Sequence, residues 1–276
     1  MKIKVFDFNK NDTFIHKLSG ASKLICFLLL TSSIMFTYDI RVFITLLVIS
    51  AIIFKVAEIK LDQIKIIVIS VGAFLLFNFF FSFIFSPNFG PELYGTHNSL
   101  YDFGFYILTY EQVFYQVSKF FKYLSVVPLG IAFFMTTNPS EFASSLNKIK
   151  VNYKICTTLS ITLRYFPDVQ RDYNTISLAQ QARGLDMSKN EKLIKRLKNM
   201  TSILSPLIFT TLERVDMIAN AMELRGYGKY KKRTWYSYRP FNKNDYLSIL
   251  FCLLFFLATM YIRIFINGGL HYNPFI

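Results

Sequence analysis

Two arginines followed by glycine, Arg183-Gly184 and Arg225-Gly226, stand in repeated settings in this 276-residue chain. Each closes a stretch of helical apolar spacing that ends among small side chains. Ala179 and Ala182 precede the first pair, and Ala219 and Ala221 precede the second. Pro167 and Pro206 head the two stretches. They place helix starts there, because the N–H that proline lacks has no partner in a first turn. Between those limits the helices are expected to be roughly 25–30 Å long. Glycine just past a helix permits the left-handed turn that closes it, and arginine in the last turn suits the negative helix end. A guanidinium at a helix tip has a second use. Its planar fork binds a carboxylate through two hydrogen bonds and stays charged when partly buried. On spacing alone, capping and partner binding both remain open.

The remaining reactive side chains do not assemble into a catalytic set. The chain lacks a G-x-x-x-x-G-K-[ST] phosphate loop and an H-E-x-x-H metal helix. His16, His97 and His271 are far apart and are expected on different sides of a membrane. Cys26, Cys156 and Cys252 form no C-x-x-C unit, and two of them sit in apolar runs, as buried free thiols do. Arg164, Asp168, Arg171 and Asp172 are spaced by three and four, which suits ion pairs along one helix surface. No catalytic residue, cofactor or metal site is expected, so a membrane enzyme is a reading without a site. A second rival is a scaffold that binds anionic headgroups through Lys189, Lys192, Lys195, Arg196 and Lys198.

The elements that must carry these residues are mostly apolar. Hydrophobic residues make up 53% of the chain, and charged residues only 17% against about 25% in soluble domains. Apolar runs cover 24–37, 42–54, 66–90, 123–137 and 246–262. A bilayer core takes about 20 residues of helix. The first two runs therefore need their flanks, with Lys23 and Lys55 snorkelling to the interface. Thr109 and Gln112 read as a capping box opening a helix that runs to about Thr136. Lys119 and Lys122 would fall in its outer half, as interfacial lysines or as an ionisable site within the membrane. No small-residue cleavage site follows the first run, so no cleaved leader is expected.

Charge placement orients the chain. The net charge is +14, and 19 of the 31 basic residues lie in 138–245, whereas 66–118 has none. Lysine and arginine concentrate in cytoplasmic loops. Five spans with the N-terminus inside and the C-terminus outside put every basic cluster in the cytoplasm. Topology thus accounts for the charge without nucleic acid. The expected organisation is a polar arm with four spans over 1–137, a cytoplasmic helical domain over 138–245, and a last span with an external end over 246–276. Within the cytoplasmic part, Phe142, Leu146 and Ile149 mark a short amphipathic helix, and Cys156–Phe166 reads as an interfacial or partner-facing one.

The stretches AQQARG (Ala179–Gly184) and NAMELRGYG (Asn220–Gly228) resemble the paired Ala-Arg-Gly motifs of the energy-coupling factor T component, EcfT. That family includes the T subunits of cobalt and biotin transporters. FIHKLSGASK, TTNPSEF, LRYFP, SPLIFTTLERVDMIANAME and KKRTWY are similar to it too, in the same order, across most of residues 14–245. Two departures stand out: Leu224 replaces the alanine before the second arginine, and Ser19-Gly20 stands where the family usually has Asp-Pro. The resemblance implies an all-α membrane protein of a bacterial cell membrane, with two long crossing coupling helices. It implies that Ala182, Arg183, Gly184, Leu224, Arg225 and Gly226 meet two ATP-binding subunits (an EcfA-type pair). It also implies a separate substrate-binding membrane S component, for uptake of vitamins or metal ions, and no catalysis by this chain itself.

Overall fold

The computed structural model describes residues 13–59, 61–86, 88–96, 98–102, 107–185, 193–230, 234–235 and 239–274. Most of the N-terminal arm, His97, Lys189, Lys192 and part of the KKRTWY stretch lie outside the described residues. In chain order the elements are α1 (Phe14–Lys17), α2 (Gly20–Met35), α3 (Ile40–Val56), α4 (Leu61–Phe85) and α5 (Phe89–Tyr94). A small antiparallel hairpin follows, β1 (Ser99–Asp102) with β2 (Ile107–Thr109). Then come α6 (Tyr110–Thr136), α7 (Pro139–Lys148), α8 (Tyr153–Ala182), α9 (Leu193–Leu224) and α10 (Lys243–Tyr261), which runs on into a π-helical turn, Ile262–Ile266. The chain divides into two compact units, one up to Glu141 and from Arg239 onward, the other Phe142–Tyr238.

In the first unit each apolar run of the sequence lies in a helix, and α6 packs against α2, α3, α4 and α5. Leu30 and Ile34 of α2, Phe43 and Leu46 of α3, Leu129 of α6 and Cys252 of α10 make its core. Outside that core the rule of soluble proteins is inverted. Phe74, Phe77, Phe80 and Phe85 of α4 and Leu247, Leu250 and Leu254 of α10 are exposed. A helix that is apolar all round and yet uncovered belongs in hydrocarbon. Tyr110–Thr136 and Lys243–Ile266 are each long and apolar enough to cross a bilayer. The chain is an all-α membrane protein.

Polar contacts gather the helix ends. At one end Asn242 and Asp245 form a capping box for α10. Asp245 also accepts the Ser19 N–H at 2.8 Å and the Ser22 hydroxyl at 2.6 Å, binding the start of α2 to the start of α10. Lys23 does not reach a free interface as the snorkelling expectation has it. It is buried and donates to the Thr136 carbonyl at 2.6 Å, a cation on the negative end of α6. Ser19 is the N-cap of α2, accepting the Ser22 N–H, so the departure from Asp-Pro leaves the helix capped.

At the other end α6 begins at Tyr110 with Thr109 as N-cap, accepting the Gln112 N–H. The capping box is only half made. Gln112 turns away from Thr109, accepts the Gly90 N–H at 2.7 Å and donates to the Ser86 carbonyl at 2.8 Å. A side chain on Gly90 would collide with the α6 backbone, so this close approach needs glycine. Buried Glu111 accepts from the Thr96 hydroxyl and from the backbone and side-chain amides of Asn98. Lys122 is buried too, its ammonium 3.5 Å from the centre of the Tyr38 ring, while Lys119 donates to Ser82.

The segment after α10 returns across this same end. The Tyr38 N–H donates to the Leu270 carbonyl at 2.9 Å, and Tyr38 bridges and stacks with His271, ring centres 4.6 Å apart. Asn267 donates to Asp39, Arg41 lies over the Tyr272 ring, and Asn273 donates to the Tyr94 carbonyl. Burial pushes the Tyr94 phenol up to about 12. Burial first, and the Lys122 charge second, hold the His271 imidazole below its ordinary value. A histidine depressed in the folded state releases its proton on folding. Its stabilising contribution is complete above about pH 6.5 and fades as the pH falls through the depressed value. The protection factor of the Tyr38 amide against hydrogen exchange is therefore expected to drop between pH 7.5 and pH 5. His271→Gln is expected to flatten that profile; an unchanged factor in the parent protein over this range would show that His271 does not hold the segment.

Candidate functional site

The second unit carries both Arg-Gly motifs, on α8 and α9. Neither helix starts at its proline. Pro167 and Pro206 lie inside helices of 30 and 32 residues, which makes them roughly 45–48 Å long. The region Cys156–Phe166, expected as a separate helix, is the first part of α8. Its true start is set by Asn152, whose side chain accepts the Lys154 N–H. An interior proline removes one backbone bond and strands the carbonyl four residues earlier. For Pro206 that carbonyl is Ser202, and the Gln180 side-chain amide from α8 donates to it at 3.4 Å. A neighbouring helix thus supplies the donor that proline cannot.

The two motif ends close alike. Gly184 N–H bonds the Gln181 carbonyl and Leu185 N–H the Gln180 carbonyl; Gly226 N–H bonds the Glu223 carbonyl and Tyr227 N–H the Met222 carbonyl. This is the Schellman closure, with φ of +91° at Gly184 and +71° at Gly226. Arg183 and Arg225 are the last residues before those turns, and both side chains are exposed. Among the described residues neither guanidinium has a hydrogen bond or ion pair. Ala182 and Leu224 end the helices beside them, and Leu224 is 89% exposed. Phe166 and Leu178 on α8 and Phe209, Leu212 and Met217 on α9 are turned outward as well.

The motifs are held apart. Asp172 of α8 pairs with Arg214 of α9 at 2.8 Å, Gln180 meets Ser202, and the Tyr153 and Tyr227 rings touch with centres 5.9 Å apart. As numbers rise on α8 they fall on α9, so the pair is antiparallel and the two arginines lie at opposite ends. The segment after the second motif returns to the α7–α8 junction, where Trp235 donates to Asn147 at 3.1 Å. Of the charged cluster read as ion pairs within one helix, Arg171 and Asp168 do pair so, at 3.4 Å. Asp172 instead bonds across to Arg214. Spacing within one helix cannot reveal a partner 42 residues away. Among the described residues no group of His, Cys, Asp and Glu is placed to hold a metal ion.

An all-α membrane unit joined to a helical unit with twin arginine tips is one framework, and comparison with known proteins says whose. The chain matches the cobalt transport protein family (CbiQ) over residues 11–236, and it belongs to that family. It is 29% identical over 271 residues to the energy-coupling factor transporter transmembrane protein EcfT of Streptococcus thermophilus, covering 91% of this chain and 95% of that one. With the EcfT of Lactococcus lactis subsp. cremoris the identity is 27% over 252 residues, covering 87% and 90%. With that of Limosilactobacillus fermentum it is 32% over 151 residues, about half of each chain. The chain is accordingly a transmembrane component of an energy-coupling factor transporter, a transport subunit that works in a complex with others.

Left-handed closure gives these ends a measurable signature. A Cβ at Gly184 or Gly226 meets no neighbour, so alanine there is opposed by backbone conformation alone. Gly184→Ala and Gly226→Ala should each destabilise the protein by about 1–2 kcal/mol. Gly72→Ala, inside α4 with equally open space, should instead stabilise by about 0.5–1 kcal/mol. Thermal unfolding in detergent reads both signs, and equal effects at all three sites would contradict the assignment.

Proposed function

We propose that this chain is the non-catalytic coupling subunit of its transporter, carrying ATP-driven motion of two ATP-binding subunits to a separate substrate-binding membrane component. The observation that carries the reading is the pair of exposed, unpaired guanidinia at opposite tips of α8 and α9, each presented by the same closure. Two tips of like backbone facing apart suit two similar partners. Arg183 and Arg225, flanked by Ala182, Gly184, Leu224 and Gly226, would each enter an acidic groove on one ATP-binding subunit. The outward apolar residues of the two helices offer surface for the substrate-binding component. Vitamins or metal ions remain the class of cargo that the family suggests.

If each arginine fills such a groove, its removal leaves buried carboxylates unpartnered, at about 2–5 kcal/mol. Loss of a mere helix-end charge costs about 0.3–1 kcal/mol. Arg183→Ala and Arg225→Ala are expected to abolish co-purification with the ATP-binding subunits or to weaken it by well over tenfold. Lysine should rescue poorly, since a point charge does not reproduce the fork. Undiminished assembly of the double alanine variant would remove the basis for the proposal.

The same proposal places the second unit in the cytoplasm of a bacterial cell and the segment after α10 outside. Lys23, Thr136 and Asp245 share one helix end, while Glu111, Tyr94 and the C-terminal segment share the other, which supports five alternating spans. Single cysteines at Leu100 and Lys229, in a chain whose Cys26, Cys156 and Cys252 are replaced, test it. An impermeant thiol reagent on intact cells should label position 100 and spare 229; the opposite pattern would invert the topology.

A further inference from the structure

Between Asp172 and the tip of α8, and between Arg214 and the tip of α9, no side chain is fully buried. Among the described residues, those buried on the two helices are Tyr153 and Cys156 near the start of α8, and Asn199, Ile203 and Leu207 in the first half of α9. Because the pair is antiparallel, Ile203 and Leu207 lie in the stretch of α9 that runs beside the outer half of α8, so each outer arm rests on its neighbour without burying a residue of its own. Two polar contacts bracket those buried residues: the Asp172–Arg214 pair at 2.8 Å and the Gln180 amide on the Ser202 carbonyl. The ion pair has a particular place. Eleven residues separate Asp172 from Arg183, and eleven separate Arg214 from Arg225. On antiparallel helices this puts the pair midway between the two guanidinia, roughly 16 Å along the axis from each.

We infer that Asp172 and Arg214 are positioning residues, a pin at the midpoint of the α8–α9 lever that makes the tips bearing Arg183 and Arg225 move as one body. The inference rests on the proposed coupling role of those tips. The pair's side chains are about one-third exposed, at 33% and 32%. Ion pairs this accessible add little to stability, so the pin sets register and angle and does not hold the fold together. Gln180, anchored in the vacancy that Pro206 leaves, stops rotation about the pin by adding a second contact two turns away.

The test measures the distance between nitroxide labels at Gln181 and Glu223, nine residues beyond the pin on each helix, by double electron–electron resonance. The sample is the complex co-purified with its ATP-binding subunits, in nanodiscs, from a chain whose native cysteines are replaced. The labels should stand on the order of 30 Å apart. With the parent pair, one narrow distance is expected, moving to a second narrow distance when ATP and vanadate are added. Asp172→Arg or Arg214→Asp alone should broaden both distributions while the complex still assembles and the unfolding midpoint holds. The exchanged pair, Asp172→Arg with Arg214→Asp, should restore the narrow peaks. The ATP-driven shift in population between the two distances should weaken roughly two- to thirtyfold in the single variants and return in the exchanged one. Arg171→Asp, which breaks only the exposed pair with Asp168, should leave the peaks as they are. Narrow peaks in the single variants, or no recovery in the exchanged pair, would overturn the pin. Either result would leave the tip arginines to be judged by their own assembly assay.

Discussion

Each helix end leaves up to four backbone donors or acceptors without a partner in the helix, and in a bilayer water does not supply the missing ones. That constraint governs where this chain puts its few polar side chains. Asp245 closes the start of α10 and reaches the start of α2. Lys23 takes a carbonyl at the end of α6. Gln112 serves the end of α4 with one atom and the start of α5 with another. The core between these contacts is mainly aliphatic and aromatic, and a buried hydroxyl such as that of Ser125 bonds to helix carbonyls. Removing a polar end contact would therefore loosen helix order at the boundary before it touched the apolar core, because no solvent stands by to replace it.

The same constraint explains why α8 and α9 end in arginine and glycine. Schellman bonds satisfy the last carbonyls from within the backbone, so the arginine side chain is not needed for capping. It is left free at the tip. A helix finished by its own backbone can present a guanidinium whose hydrogen bonds are all available to another protein. Leu224, where the family motif has alanine, adds an exposed apolar residue to one tip and not to the other. The two tips are therefore alike in backbone and unlike in surface.

Much of this was legible in the sequence, and the gaps have physical causes. The start of α6 at Tyr110 was readable from Thr109, because capping is local chemistry. The glycine turns were readable for the same reason. The starts of α8 and α9 were not. Pro167 and Pro206 are good first-turn residues, and only a long helix formed on both sides reveals them as interior. Asn152 was the overlooked signal, an N-cap fifteen residues before Pro167. Cys26 and Cys252 are free thiols as their apolar runs suggest, and what the sequence does not reveal is that both lie at the α2 and α10 contact. The sequence places Lys23 at an interface and leaves Lys122 either there or as an ionisable site within the membrane; both are buried. A lysine near a span end looks the same in sequence whether it meets water, a helix carbonyl or a tyrosine ring.

An interior proline is costly in an isolated helix, by about 3 kcal/mol, and each member of this pair contains one. The cost falls when another group fills the freed carbonyl, and Gln180 does this for Pro206. The contact is available only at one mutual register of α8 and α9, since a one-residue slide moves an amide by about 1.5 Å and turns it by about 100°. Proline thereby converts a local weakness of α9 into a preference for one placement of α8. A helix without proline would satisfy its own backbone everywhere and would be indifferent to where its neighbour lay. Two such helices would pack by apolar contact alone, as Ile203 and Leu207 do here between the Gln180 and Asp172 contacts. Apolar packing is non-directional, so polar contacts with fixed geometry add the register, and a carbonyl stranded by proline is one of the few that a continuous helix can offer.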